Sequence, residues 1–436
     1  MPAPHTAPPP QRARALLLVV FTLLGFQLSG WLSRVPSVRD ALELTPSALG
    51  TVLLVASLGT LAMTLTSGYI NARFGGALVM RVAAVVQAIG YTSLGLSTVV
   101  GSVPLLVLGV TLQGVAFAPV NVTINVESAG VERRLGRSVM PLFHAMFSIG
   151  AVLGAGFGAA ASHLGVSVMV QFTAVAALSA VVQLACVRGI VHDTRVDRVV
   201  AETVASCAGP TKRPSKASGA ARAAVTAWTE KRTLLLGLIV FAAALSEGSA
   251  NQWIPLAVVD GFGTLEAVGA TILTVFTASM TIVRLLGTRL LDRFGRVAVL
   301  RASGLVSIAG LALFVFAPAM PLAVVGVSMW GMGAALAYPV TLAAASDDPV
   351  RAAARVSVVT AFASVARLSA PPVIGALGEV AGIRQALAVV GTGLVVAVLV
   401  ARQARREVPQ PLTPHETGPA ESRTDAPLDV APTPSR

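Results

Sequence analysis

The sequence predicts an all-α membrane protein with twelve transmembrane helices in two pseudo-symmetric six-helix bundles. Three observations predict it. The 436 residues are 55% hydrophobic and only 12% charged, with a mean hydropathy of +0.78, whereas soluble proteins carry about a quarter charged residues. The apolar residues fall in long blocks rather than in the 3.6-residue stripes of half-buried helices. Finally, "NARFGGALVMR" at 71–81 recurs as "LDRFGRVAVLR" at 291–301. Arg73/Arg293, Phe74/Phe294, Gly75/Gly295, Val79/Val299 and Arg81/Arg301 are identical at an offset of 220, and Asp40/Asp260 and Pro119/Pro339 keep the same register.

The first block, Ala15 to Leu32, has no charge and about the ~20-residue length that crosses a hydrocarbon core. Arg12 and Arg14 precede it, but no small-residue cleavage site follows, so it reads as an uncleaved first span. Breaks at charges, Gly and Pro place spans near 15–37, 46–70, 77–98, 103–127, 138–161 and 166–187. The second set falls near 233–257, 264–289, 297–317, 321–345, 356–377 and 384–402. Two bundles at 15–187 and 233–402 follow from this. The interval 188–232, rich in Arg, Lys, Pro and Ser, reads as a cytoplasmic linker. The ends, 1–14 and 403–436, are too poor in apolar residues to order themselves.

With the N-terminus inside, the inner loops hold Arg73, Arg81, Arg133, Arg134, Arg137, the linker, Arg289, Arg293, Arg296, Arg301, Arg351 and Arg355. The outer side receives only Arg34, Arg39 and Arg384. This bias predicts a multi-pass protein of the cell membrane, plasma or inner, with both termini cytoplasmic. The net charge of +12 therefore reports topology. No basic face interleaved with aromatics exists, which argues against nucleic acid.

The stretch "DRFGR" between spans eight and nine, with its partner "ARFGG" between spans two and three, resembles the cytoplasmic loop signature of the major facilitator superfamily. The resemblance covers about 15–402. It matches Asp292, Arg293, Gly295 and Arg296 in the second half and Gly68, Arg73 and Gly75 in the first. Thr288 stands at the signature glycine of the second loop, and Ala72 at the acid of the first. The resemblance implies the major facilitator fold, with a gate that engages in one of two conformations and rests mainly on Asp292. Gly68 is expected to let two helices approach closely, and Gly75 and Gly295 to permit the tight turn. The stretch "NVTINVESAGVERRLGRSVMPLFHAMFSIGAVLGAG" further resembles the fucose permease-like branch. The carboxylates that branch uses in spans one and four fall on Leu32 and Phe117, so its sugar–proton mechanism does not carry over.

Ionisable groups at membrane depth are costly and face cavities or partners. Glu247 in span seven lies 14 residues beyond Thr233, about 20 Å along a helix. It reads either as a proton-titrating carboxylate or as one locked in a structural pair. Asn251 shares its face and Gln27 is its counterpart at the 220 offset. Arg367, near mid-depth in span eleven, is expected to find Glu247 or a substrate anion. Gln113, Asn121 and Asn125 recur at multiples of four in span four, as a substrate stripe or as interhelical hydrogen-bonding groups. His144 reads as a proton relay or a neutral hydrogen-bonded histidine, and Glu127 as an ion pair with Arg133 and Arg134. Tyr338 and Trp253 are candidates to stack a ring.

No phosphate-binding loop or HExxH is present, no span holds paired acids, and the histidines are scattered. Cys186 and Cys207 read as free thiols. No enzyme activity, metal or cofactor is expected. The sequence predicts a monomeric secondary transporter of a small polar solute such as a sugar or metabolite. It would be driven by protons through alternating access, with the two halves rocking about a midplane site. Proton-driven efflux of drugs or amphipathic secondary metabolites is the alternative.

Overall fold

The computed structural model describes residues 10–135, 139–190, 226–348 and 351–406. Most of the predicted linker and both predicted tails lie outside these residues. The first half comprises α1 (Pro10–Leu32), the short α2 (Val35–Ala41), α3 (Pro46–Phe74), α4 (Gly76–Val100), α5 (Val103–Leu135), α6 (Met140–His163) and α7 (Val168–Ile190). The second comprises α8 (Lys231–Phe262), α9 (Glu266–Phe316), α10 (Met320–Ala334), α11 (Ala337–Ala345), α12 (Ala352–Ala381), α13 (Ile383–Ala386) and α14 (Val389–Val400).

Eleven of the helical stretches among the described residues are long and apolar enough to cross a membrane. One of them, α9, has 51 residues, about 77 Å at 1.5 Å per residue, more than twice a hydrocarbon core. Gly295 breaks it with φ 75° and ψ 163°, and Gly75 ends α3 with φ 80° and ψ 145°. Only glycine enters that region without strain. The break gives twelve spans, and the two loops that share a sequence share a backbone turn.

The offset of 220 extends further than the sequence alone revealed. Glu43 has φ 50° and Gly263 has φ 61°, each three positions before an equivalent helix start. Gly90 packs on α5, where an added Cβ would lie 3.1 Å from the Gly109 carbonyl oxygen. Its counterpart Gly310 packs on α10, 2.6 Å from that of Gly326. Spans three and four thus cross at glycine as spans nine and ten do. A second glycine face, Gly150 and Gly154 of α6, admits the α1 backbone at Thr22 and Phe26.

Both ends of the bundle are identifiable. Arg232 at the start of α8 donates to the carbonyls of Gln403 (3.2 Å) and Arg405 (3.0 Å), and Gly189 of α7 meets Leu16 of α1. This is the basic end. At the far end α3 and α12 touch backbone to backbone, with Gly50 under Pro371 and Gly375 under Pro46.

The crossings make different demands at different glycines. Gly310→Ala is expected to lower stability by about 1–3 kcal/mol through overpacking. Gly156→Ala, whose Cβ would meet nothing within 4 Å, should be neutral or slightly stabilising through helix propensity. Melting of both variants in detergent checks this.

Candidate functional site

α8 is buried along most of its length, yet Glu247, Gly248, Asn251 and Gln252 are only half-buried. They form one patch on successive turns. Glu247 meets Arg284 of α9 at 2.9 Å, each side chain being 29% exposed. Arg284 also donates from Nε to the Ala335 carbonyl at 3.2 Å. That carbonyl sits at the interruption between α10 and α11, so the broken span supplies the acceptor. Below the patch, the hydroxyl of Ser246 accepts from the Trp330 indole at 2.8 Å, which fixes α8 against α10.

Arg284, which the sequence reading passed over, takes the role expected of Arg367. Both are single charges inside apolar spans, and nothing in one sequence says which helix faces α8. Arg367 is exposed and has no ion-pair partner among the described residues. It lies one turn before Pro371, the residue seated on Gly50 of the first half, and so shares the α12 face that meets that half. Thr360 and Ser364 lie on the same face, extending it toward the basic end. Across the seam, His144 of α6 is exposed and within electrostatic reach of Arg284. Its ring stands edge-on to Phe21 at 5.7 Å.

The amides of the first half divide. Asn121 is exposed, and Asn125 donates to its carbonyl at 2.7 Å and its side-chain oxygen at 3.1 Å. Gln113 instead donates to the Gln87 carbonyl at 2.8 Å, inside the first bundle, so the three do not form one stripe. Gln27 is 3% exposed, and its backbone carbonyl accepts from the Tyr91 hydroxyl at 2.5 Å. Tyr338 is half-buried against the apolar core of the second half, and Trp253 is fully buried. Glu127 is buried, and Glu132 caps α6 through the amides of Val139 (2.8 Å) and Met140 (2.9 Å).

At the far end the halves are tied by charge. Glu266 forms an ion pair with Arg34 (3.1 Å) and accepts from Ser162 (2.8 Å) and from both the amide (2.7 Å) and hydroxyl (2.5 Å) of Ser37. Arg39 bridges Asp40, at 2.6 Å, and Asp260, the two acids related by the 220 offset. Burial alone would lower the pKa of Arg39, but the two carboxylates outweigh it and raise it. Beside this cluster lies a surface depression of about 470 Å³ lined by Arg34, Ser162 and Glu266.

At the basic end the ion pairs named here stay within the second half. Asp347 holds Arg296 (2.7 Å) and Arg232 (3.3 Å), and Glu230 holds Arg355 (2.6 Å). Asp292 is exposed with no ion pair among the described residues. Gly68, expected at a close helix contact, has nothing within 4 Å of an added Cβ. Arg73 and Arg293 stack over Phe74 and Phe294 at 5.8 and 5.3 Å, a repeated cation–π contact. Ion pairs and glycine contacts therefore tie the halves at the far end, while Asp292 stands exposed at the basic end.

Two helical bundles that meet at a seam carrying charged and amide groups at membrane depth suit a membrane transporter. The family model of the Major Facilitator Superfamily matches residues 15–349 and 236–432, and the chain belongs to that superfamily. It is 32% identical over 389 residues, 87% of this chain and 95% of the other, to the uncharacterized transporter y4wD of Sinorhizobium fredii. Among solved structures it resembles the nucleoside transporter NupG, with a TM-score of 0.69, 16% identity, and 90% of this chain and 98% of that one covered. It also resembles FucP in its outward conformation, with a TM-score of 0.58, 16% identity, and coverages of 90% and 99%. The chain is a transporter of the major facilitator type, not an enzyme.

Removing the far-end acid should shift the resting conformation. In a Cys186→Ser, Cys207→Ser background, Glu266→Ala is expected to raise labelling of Ser57→Cys by impermeant maleimide from the far side several-fold. Unchanged labelling would mean the cluster does not hold that end closed.

Burial would raise the Glu230 carboxyl, but the hydrogen bonds from Arg355 and Thr233 and the nearby arginines outweigh it and hold it below its ordinary 4.5. A lowered folded pKa contributes stability above the ordinary value, and that contribution disappears as pH falls through the folded value. Melting of the wild type should therefore weaken below pH 4.5. Glu230→Gln should melt lower at neutral pH and lose part of that acid dependence.

Proposed function

We propose that the protein is a secondary active transporter that moves a small polar solute by alternating access, coupled to protons, with its basic end in the cytoplasm of a cell membrane. The observation that carries this reading is the half-exposed Glu247–Arg284 pair at mid-depth, with Asn251 on the next turn of α8 and His144 within electrostatic reach. A carboxylate in that setting has two stable conditions, ion-paired or protonated, and each favours a different partner for Arg284. Proton binding and solute binding are then linked through one guanidinium, the requirement for coupling. Asn121, Asn125 and Tyr338 supply polar contacts from the flanking helices, whereas Gln113 and Gln27 act within the first bundle. Asp292, with Arg293 and Arg296, forms the latch that engages when the basic end closes. The positive-inside distribution of arginine supports the orientation.

The exposed ionic and amide groups favour a polar solute over an amphipathic drug. Reconstituted in liposomes, the wild type should accumulate solute along a proton gradient. Glu247→Gln should lose accumulation while retaining solute exchange down its own gradient. Full accumulation by that variant would remove Glu247 from coupling.

A further inference from the structure

Resting on the carrier reading above, we infer that the transported solute is a small organic anion, a carboxylate, held between Arg284 and Arg367. Counting charge at membrane depth leads there. The first half carries four acids between residues 15 and 187: Asp40 and Glu43 at the far end, and Glu127 and Glu132 at the basic end. In the spans of the second half Glu247 is the one carboxylate at depth, against two guanidinium groups, Arg284 and Arg367. Glu247 compensates Arg284 at 2.9 Å. Arg367 stays exposed one turn from the α12 contact with the first half, without an ion-pair partner among the described residues. An uncompensated guanidinium at that depth is expensive, and a bound carboxylate removes the cost with a two-pronged hydrogen bond.

The groups around Glu247 leave no other source of negative charge. α9 presents Arg284, α12 presents Arg367, α11 presents Tyr338 and α6 presents His144 across the seam, while α10 and α14 carry no titratable residue. Arg39 and Asp40 of α2 and Arg384 of α13 lie at the far end. Arg12 and Arg14 of α1 lie at the basic end.

The proton step balances. A proton from the aqueous phase forms an O–H bond on the Glu247 carboxylate, and the ion pair to Arg284 is broken without electron transfer. Arg284 is then free to join Arg367 on the solute carboxylate. Empty, the three groups sum to one positive charge. Loaded with one proton and one monoanion, they sum to one positive charge again. The empty and loaded carriers therefore cross the membrane field with equal charge, so net transport responds to the pH difference and not to voltage.

The test uses the full-length protein in detergent and in liposomes. Thermal shifts are measured with lactate, gluconate and succinate, each against a neutral counterpart (propane-1,2-diol, glucose and succinamide). At least one carboxylate should stabilise the protein where its counterpart does not. Arg367→Gln should weaken that binding about tenfold or more, the loss of one charge-assisted contact, and Arg367→Lys should weaken it less. In Glu247→Gln, which mimics the protonated acid, binding should lose its dependence on low pH. The inference is overturned if no carboxylate stabilises the protein, if the neutral counterparts act equally, or if Arg367→Gln binds unchanged. A neutral solute that binds and is accumulated would leave the carrier reading standing and remove the anion. A carboxylate that binds but never crosses the bilayer would do the reverse.

Discussion

A charge inside a membrane has to be compensated, and the arrangement of α8, α9 and α12 follows from how three charges meet that demand. Glu247 and Arg284 compensate each other across a gap of 2.9 Å, with Arg284 further held by the carbonyl left free where α10 gives way to α11. Because a break in a helix exposes unpaired backbone groups that lipid cannot satisfy, the interruption of span ten is tolerable only beside such a donor. The ion pair and the broken helix thus stabilise one another. Neither is fully enclosed: both side chains keep 29% of their surface open, which leaves the pair accessible to water and to exchange of partners.

The two ends of the molecule divide the electrostatic labour. At the far end, Arg34 and Arg39 reach across the seam to Glu266 and Asp260, and glycine-lined contacts between α3 and α12 bring the backbones together. At the basic end, Asp347 and Glu230 hold arginines of their own half. Ion pairs that cross a seam favour one conformation, while pairs that stay within a half move with it and favour neither.

Composition and the repeat made the architecture legible before any coordinates. Runs without charge can only be satisfied as helices in lipid, and an offset shared by Arg-Phe-Gly, Asp and Pro fixes which spans correspond. Gly75 and Gly295 were readable as turns because their φ values are open to few residues other than glycine. Glu247 was readable as a depth-exposed acid for a similar reason, as charge in such a run is rare. Its partner was not readable. Arg284 and Arg367 look alike in sequence, and only the lateral order of helices decides between them. The amides of α5 failed as a stripe because Pro119 lies within the helix and the faces above and below it meet different neighbours. Gln113 turns to α4, while Asn121 and Asn125 turn to each other.

The repeat holds in the turns at Gly75 and Gly295 and in the glycine crossings of spans three with four and nine with ten, but not in charge. At the 220 offset Glu247 corresponds to Gln27, Arg284 to Thr64, Arg367 to Phe147 and Asp292 to Ala72. The first half keeps the shape of the second without its ionic groups. It spends its depth on glycine contacts, with Gly25 of α1 against Phe147 and Ala151 of α6, and on amides such as Gln113 and Gln183 that donate to carbonyls inside the bundle. A duplicated scaffold demands only that the helices cross alike, since packing sets the crossings, and it leaves the cavity-facing positions free to diverge. Confining charge to one half has a mechanical consequence. A partner exchange at Glu247 alters the surface of one bundle against a face that offers His144 as its titratable group at depth, so a local protonation changes the contact between halves rather than the interior of either.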